Sequence, residues 1–232
     1  MRTQWIQSRA LAKVSGVIAA TILSAVAAPC PARSQTRSRE DEVVRSELFG
    51  MGKRGETIAR AREWVLEILQ TKNGCRQRFE EASVDVAEIF TSAHYVVKAK
   101  GPLFIYSMAD ERGEQWLEHP WVASTSQNGG RGSLIRLNAN GPFFGEVSLL
   151  LYVNGASFLR PGGPHRLAVG PYSGNTAEAQ IATLLHELGH IVGRLPDDND
   201  SWDGRSSQNT LEVQRHCKPE IRAAARRKSI PR

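Results

Sequence analysis

The stretch from Asn175 to Arg194, NTAEAQIATLLHELGHIVGR, constrains this chain more than any other. At its centre stands His186-Glu187-Leu188-Gly189-His190, an H-E-x-x-H pattern. On an α-helix, residues at i and i+4 sit one turn apart on one face, so both imidazoles can reach a single metal ion. Glu187 follows the first histidine, where it can hold and deprotonate a water. The pattern carries that meaning only on a helix, and the flanks predict one. Ser173-Gly174-Asn175 reads as a turn, with Asn175 as N-cap and Glu178 placed to answer it three residues later. Ile181, Leu184, Leu185, Leu188, Ile191 and Val192 recur at helical spacing, and Gly193 with Pro196 supplies a stop. Gly189 costs about 1 kcal/mol relative to Ala inside a helix. Its small size leaves room for another backbone to approach the metal.

A structural helix that carried two histidines by chance would tolerate charges around them. Here Thr183, Leu184, Leu188, Gly189, Ile191 and Val192 are all uncharged, which satisfies the stricter form of the signature. Over about twenty residues the stretch resembles the zincin metalloproteases. The resemblance implies a catalytic Zn2+ with two histidine ligands, a third protein ligand and an open position for water.

The third ligand is where the chain departs from the better-known zincins. In the metzincin-like pattern Gly193 falls correctly, but the final ligand position holds Pro196, with Asp197 one residue late and Asp198 and Asp200 behind it. In the gluzincin-like pattern a glutamate comes from a second helix about twenty residues on, and Glu212 sits near that distance; His216 is a further rival. The segment Pro196-Asp197-Asp198-Asn199-Asp200, with Ser207, Asn209-Thr210 and His216-Cys217, also resembles a group of exported, uncharacterised bacterial H-E-x-x-H proteins. In that group the aspartate two residues after the proline recurs, which implies Asp198. The same acidic cluster is also good turn chemistry on the surface. Tyr152, His165, Tyr172 and His216 are weaker candidates for stabilising an oxyanion, since a lone Tyr or His is more often structural. His94 and His119 read as ordinary surface or sheet residues.

Before this domain, Arg2, Arg9 and Lys13 precede an apolar run from Val14 to Ala28 that ends in small residues. That is the layout of a secretory signal peptide over 1–28, with cleavage as late as 34, and it places the protein in the periplasm or outside the cell. The run is short for a membrane span, which needs about twenty apolar residues. Cleavage beyond Ser34 removes Cys30 and leaves Cys75 and Cys217, an even pair that an oxidising compartment would join in a disulfide. No C-x-x-C spacing suggests a cysteine zinc site. The net charge of +6 gathers partly in the leader and in a basic tail with few aromatics, which reads as a solvated end rather than a nucleic-acid surface.

Residues 35–54 are charged and poorly patterned, a loosely structured leader or a frayed first helix. From 55 to 230 the chain reads as one catalytic domain. Ile58, Ala61, Trp64, Val65, Ile68 and Leu69 predict a helix over Thr57–Gln70; Phe79, Ala82, Val86 and Ile89 predict a second over Cys75–Phe90, closing an antiparallel hairpin. β-rich runs follow at His94–Val97, Leu103–Tyr106, Ser133–Leu137, Val147–Val153 and Arg166–Val169, with breaks that include Pro161-Gly162-Gly163. Thr125–Gly132 reads as a polar linker or lid. A final helix runs from Thr210 to about Arg227, with Asn209 as its cap. Helices, then strands, then the metal helix is the order of an α+β domain with a small, mostly antiparallel sheet. In zincins an edge strand of such a sheet pairs with extended substrate, and the resemblance assigns that place to a strand between Ile135 and Val153. The expected function is an exported zinc peptidase acting on a peptide or protein, with Glu187 as general base. The rival expectation is a catalytically degenerate, metal-stabilised binding protein of the cell envelope.

Overall fold

The computed structural model describes residues 32–80, 85–99, 104–110, 113–118, 121–154, 158–198 and 204–227. The expected signal peptide, Cys30, His119 and Asp200 lie outside them. From Ala32 onward the chain forms one compact unit of mixed α+β type. No described helix is long and apolar enough to cross a membrane.

The chain opens with α1 (Ala32–Gly50) and α2 (Gly52–Gln70), which turn on Gly52 at φ +59°. The stretch 35–54, expected as a loosely structured leader or a frayed first helix, is helical apart from the turn at Met51. Among the described side chains of α1, only Val44 and Leu48, one turn apart, bury apolar surface, too little to read as a periodic pattern. The remaining grip is ionic: Arg62 of α2, 2% exposed, reaches Asp41 of α1 at 2.7 Å. The helices come so close that a Cβ on Gly55 would lie 1.7 Å from the Leu48 carbonyl oxygen.

The single helix expected over Cys75–Phe90 is instead two short ones, α3 (Gly74–Phe79) and α4 (Val86–Thr91). Glu80 turns extended (φ −67°, ψ 137°), and the helix restarts at Asp85, whose carboxylate accepts from the Ala87 and Glu88 amides at 3.0 and 3.4 Å. Phe79, Val86 and Ile89 remain buried, so the apolar spacing that suggested one helix is served by two.

The remaining elements are β1 (His94–Lys98), β2 (Phe104–Asp110), β3 (Gly113–Glu118), β4 (Ala123–Ser124), β5 (Leu134–Asn138), β6 (Val147–Asn154), β7 (Phe158–Arg166), β8 (Ala168–Val169), β9 (Tyr172–Ser173), α5 (Ala177–Ile191) and α6 (Arg205–Arg227). They form separate sheets rather than one. β1 and β5 pair in parallel, with β4 antiparallel on the far side of β5. β2-β3-β6-β7 form an antiparallel sheet of their own, and β8 pairs with β9. The expected break at Pro161-Gly162-Gly163 lies inside β7. Among the described strands it is at the sheet's edge, where prolines are tolerated, and the register with β6 shifts between Leu150 and Leu151, opposite this segment.

At the centre lies α5, with every residue from Ala179 to Ile191 buried. It packs against α2 and α6 and touches β4, β8 and β9. Such a helix is apolar all round, except where polar side chains have a task. Here those include Gln180, Thr183, His186, Glu187 and His190. The sulfurs of Cys75 and Cys217 are 2.02 Å apart, a disulfide that ties α3 to α6.

Candidate metal centre

The backbone of α5 is fixed at both ends by local chemistry. Its N-cap is Thr176, whose hydroxyl accepts from the Ala179 amide at 3.2 Å; the expected cap, Asn175, stands one residue earlier in the left-handed region at φ +57°. At the other end Gly193 takes φ +67°, the Arg194 amide reaches the Gly189 carbonyl at 2.8 Å and the Gly193 amide reaches that of His190 at 3.0 Å. This is a Schellman stop, the expected role of Gly193. The segment Thr125–Gly132 does not stand apart as a linker. Its Asn128 and Gly130 amides donate to the His190 and Ile191 carbonyls at 2.8 and 3.2 Å, satisfying the helix end. Gly189 faces the Leu195 side chain, not a backbone: an added Cβ would lie 2.5 Å from Leu195 Cγ.

These constraints place His186 and His190 on one face, one turn apart, with their Nε2 atoms 3.0 Å from each other. The chain then doubles back past Pro196 and brings Asp198 to them. One carboxylate oxygen lies 3.1 Å from His186 Nε2 and the other 3.2 Å from His190 Nε2. Among the described residues, His186, His190 and Asp198 form the one group of three such donors able to hold a metal ion. A tetrahedral ion with ligand bonds of 2.0–2.1 Å needs ligand atoms about 3.3 Å apart. The triangle of two nitrogens and a carboxylate comes within a few tenths of an ångström of that spacing. Neutral imidazoles beside a carboxylate are the donor set of zinc and related divalent ions.

Around the donors the polar contacts are specific. His186 Nδ1 pairs with the Thr210 hydroxyl at 3.1 Å, and the Asn209 amide donates to Asp198 Oδ2 at 2.9 Å and to the Pro196 carbonyl at 2.9 Å. Asn209 was expected as the cap of the last helix, but α6 begins at Arg205, so Asn209 lies one turn inside it. Burial would raise the Asp198 pKa, but hydrogen bonds to His186, His190 and Asn209 outweigh it and hold the carboxyl well below its usual range. Glu187 behaves oppositely. Burial, with a smaller push from the charge on Asp198, raises it to about 8. Its Oε2 is buried with no hydrogen-bond partner among the described residues, as is His190 Nδ1.

The rival ligands are elsewhere engaged. Glu212 pairs with His216 at 3.1 Å, with Arg215 at 3.1 Å and with Arg78 at 3.4 Å. Asp197 is exposed, its carbonyl taking the Arg205 guanidinium at 3.1 Å. His165 is exposed, Tyr172 is buried beside β8, and His94 pairs with Glu47 at 2.9 Å.

No family model, curated protein or solved structure matches the chain.

Proposed function

We propose that this chain is an exported zinc-dependent metallohydrolase of the zincin type, most specifically a peptidase. One observation carries the reading: two helix-borne imidazoles and the Asp198 carboxylate meet within 3.0–3.2 Å, next in sequence to a buried glutamate. His186, His190 and Asp198 would hold the ion. Zinc so held supplies Lewis acidity and brings the pKa of water down to about 7.

The chain's own residues account for the rest. Glu187, buried and with an uncommitted oxygen, accepts the proton of the attacking water and returns it to the leaving amine. Burial of Glu187 and both histidines strengthens their electrostatic coupling to whatever charge forms there. The Cys75–Cys217 disulfide supports an oxidising compartment, in keeping with export to the periplasm or beyond. A degenerate, metal-stabilised binding protein would close its coordination shell with a fourth side chain. Three donors converge among the described residues, the number that a catalytic zinc with an open position takes from its protein.

The test is metal content of the purified protein by elemental mass spectrometry, wild type beside His190→Ala and Glu187→Gln. About one zinc per chain is expected in wild type and Glu187→Gln, and loss in His190→Ala. A peptide-library digest should show hydrolysis by wild type alone. Hydrolysis retained by Glu187→Gln would sink the general-base assignment, and absence of metal from wild type after zinc add-back would sink the whole reading.

A further inference from the structure

The metal donors come from α5 and from the turn after it, yet the groups that hold two of them come from α6. Asn209 and Thr210 are consecutive, one turn into that helix. Asn209 is 4% exposed, and its side-chain nitrogen donates to both Asp198 Oδ2 and the Pro196 carbonyl, each at 2.9 Å. It therefore holds the ligand and the backbone of the ligand-bearing turn together. Asp198 belongs to no helix or strand, so its carboxylate has no regular element of its own to aim it. Thr210 meets His186 Nδ1 at 3.1 Å on the other ligand.

Both residues are poorly suited to a helix interior unless their side chains are used. Asn competes with the helix for backbone hydrogen bonds, and burying its amide without partners costs about 1–3 kcal/mol. A helical threonine commonly turns its hydroxyl back to the carbonyl four residues earlier, as Thr183 does to Ala179 at 2.8 Å. Thr210 has its hydroxyl on His186 instead. A partner at Nδ1 also sets the tautomer. With the proton on Nδ1, Nε2 presents its lone pair to the ion.

We infer that Asn209 and Thr210 are positioning residues of the metal centre. Asn209 orients the Asp198 carboxylate, and Thr210 fixes the ring angle and tautomer of His186. The inference rests on the zinc-site reading above, and its test separates the two. Zinc affinity is measured by competition with a chromophoric chelator, and Co2+ replaces zinc to give a visible spectrum that reports ligand geometry. The panel is wild type, His190→Ala, Asn209→Ala, Thr210→Val and Thr210→Ser.

Thr210→Val keeps the shape and loses the hydroxyl; it is expected to weaken zinc about 10–100-fold and to shift the Co2+ bands. Thr210→Ser restores the hydroxyl and should bind within about threefold of wild type. Asn209→Ala should weaken zinc by at least as much, with an altered Co2+ spectrum. A purely packing role for Thr210 would make Thr210→Ser the worse of its pair, since serine lacks the methyl, and would overturn the inference. Should Asn209→Ala fail to fold, the Thr210 pair decides. Stoichiometric zinc in wild type, lost in His190→Ala but bound with unchanged affinity and spectrum by Asn209→Ala and Thr210→Val, overturns the positioning roles and leaves the site intact. Wild type that binds no zinc overturns both.

Discussion

A carboxyl buried as fully as Glu187 holds its proton to about pH 8, because the low-dielectric interior penalises the charge and Asp198 repels it. In metal-stripped protein, the folded chain keeps this proton between about pH 4.5 and 8, while the unfolded chain releases it. The unfolded state binds fewer protons in that window, so this group's contribution to stability falls as pH rises through it. Glu187→Gln removes the titration. The metal-stripped variant should be more stable than stripped wild type by roughly 1–3 kcal/mol at pH 8, with the gap closing towards pH 4.5. Thermal melts in chelator across that range check it; a gap that ignores pH would show that Glu187 is not the titrating group. Gly189 sets two effects against each other. Alanine gains about 1 kcal/mol of helix propensity, but its Cβ would press 2.5 Å from Leu195 Cγ in a fully buried place. Overpacking of that kind costs about 1–3 kcal/mol, so Gly189→Ala should come out destabilised by chemical denaturation. The two histidines and their glutamate were legible in the sequence because their spacing is fixed by one helix. Asp198 was nominated only among rivals, since its arrival depends on how a non-helical turn folds back, and no periodicity records that.

Elements were legible where one face repeats and obscure where the repeat is short. α5 and α2 show their apolar spacing openly; α1 hides its own, with only Val44 and Leu48 buried among its described apolar side chains. A proline in β7 reads as a break because a sequence does not say which strands lie at a sheet's edge. Asn209 reads as a cap, since Asn favours helix starts, and only the tertiary contact with Asp198 explains it one turn inside. The cysteine pair was legible by counting, on the expectation of export. Its bond closes a loop with a sequence separation of 142 residues and fastens α3 to α6, the helix that carries Asn209 and Thr210. Chain-entropy reasoning gives such a cross-link about 5 kcal/mol, and measured values for disulfides are usually about 2–4 kcal/mol. Paired Cys75→Ser and Cys217→Ser substitutions should therefore lower unfolding stability in urea by about 2–4 kcal/mol. Alkylation of native protein without reductant should label neither cysteine, and labelling of both would contradict the bond.

Across the whole molecule, α1 is held to the body by a contact of unusual kind. Arg62 is almost wholly buried in α2, with one guanidinium nitrogen on Asp41 at 2.7 Å and on the Thr91 carbonyl at 2.7 Å. Partial burial raises the Asp41 pKa, but the hydrogen bond and charge of Arg62, helped by Arg45, outweigh it and leave the carboxyl below its usual 3.8. A depressed carboxyl contributes stability that is present above the unfolded value and is lost as pH falls through the folded one. The attachment of α1 should thus hold at neutral pH and weaken below about pH 3.8, where protonated Asp41 leaves a buried guanidinium without its counter-charge. Asp41→Asn imposes that condition at every pH. It should lower stability by about 1–3 kcal/mol at pH 7, less than breaking a fully buried pair because Asp41 is partly exposed. Unfolding in urea from pH 6 down to pH 2.5 should show the two proteins converging as Asp41 titrates. Hydrogen exchange along α1 at the acid end should rise in wild type to match the variant. Parallel curves with a constant gap would mean that the loss in Asp41→Asn does not come from the charge on Asp41.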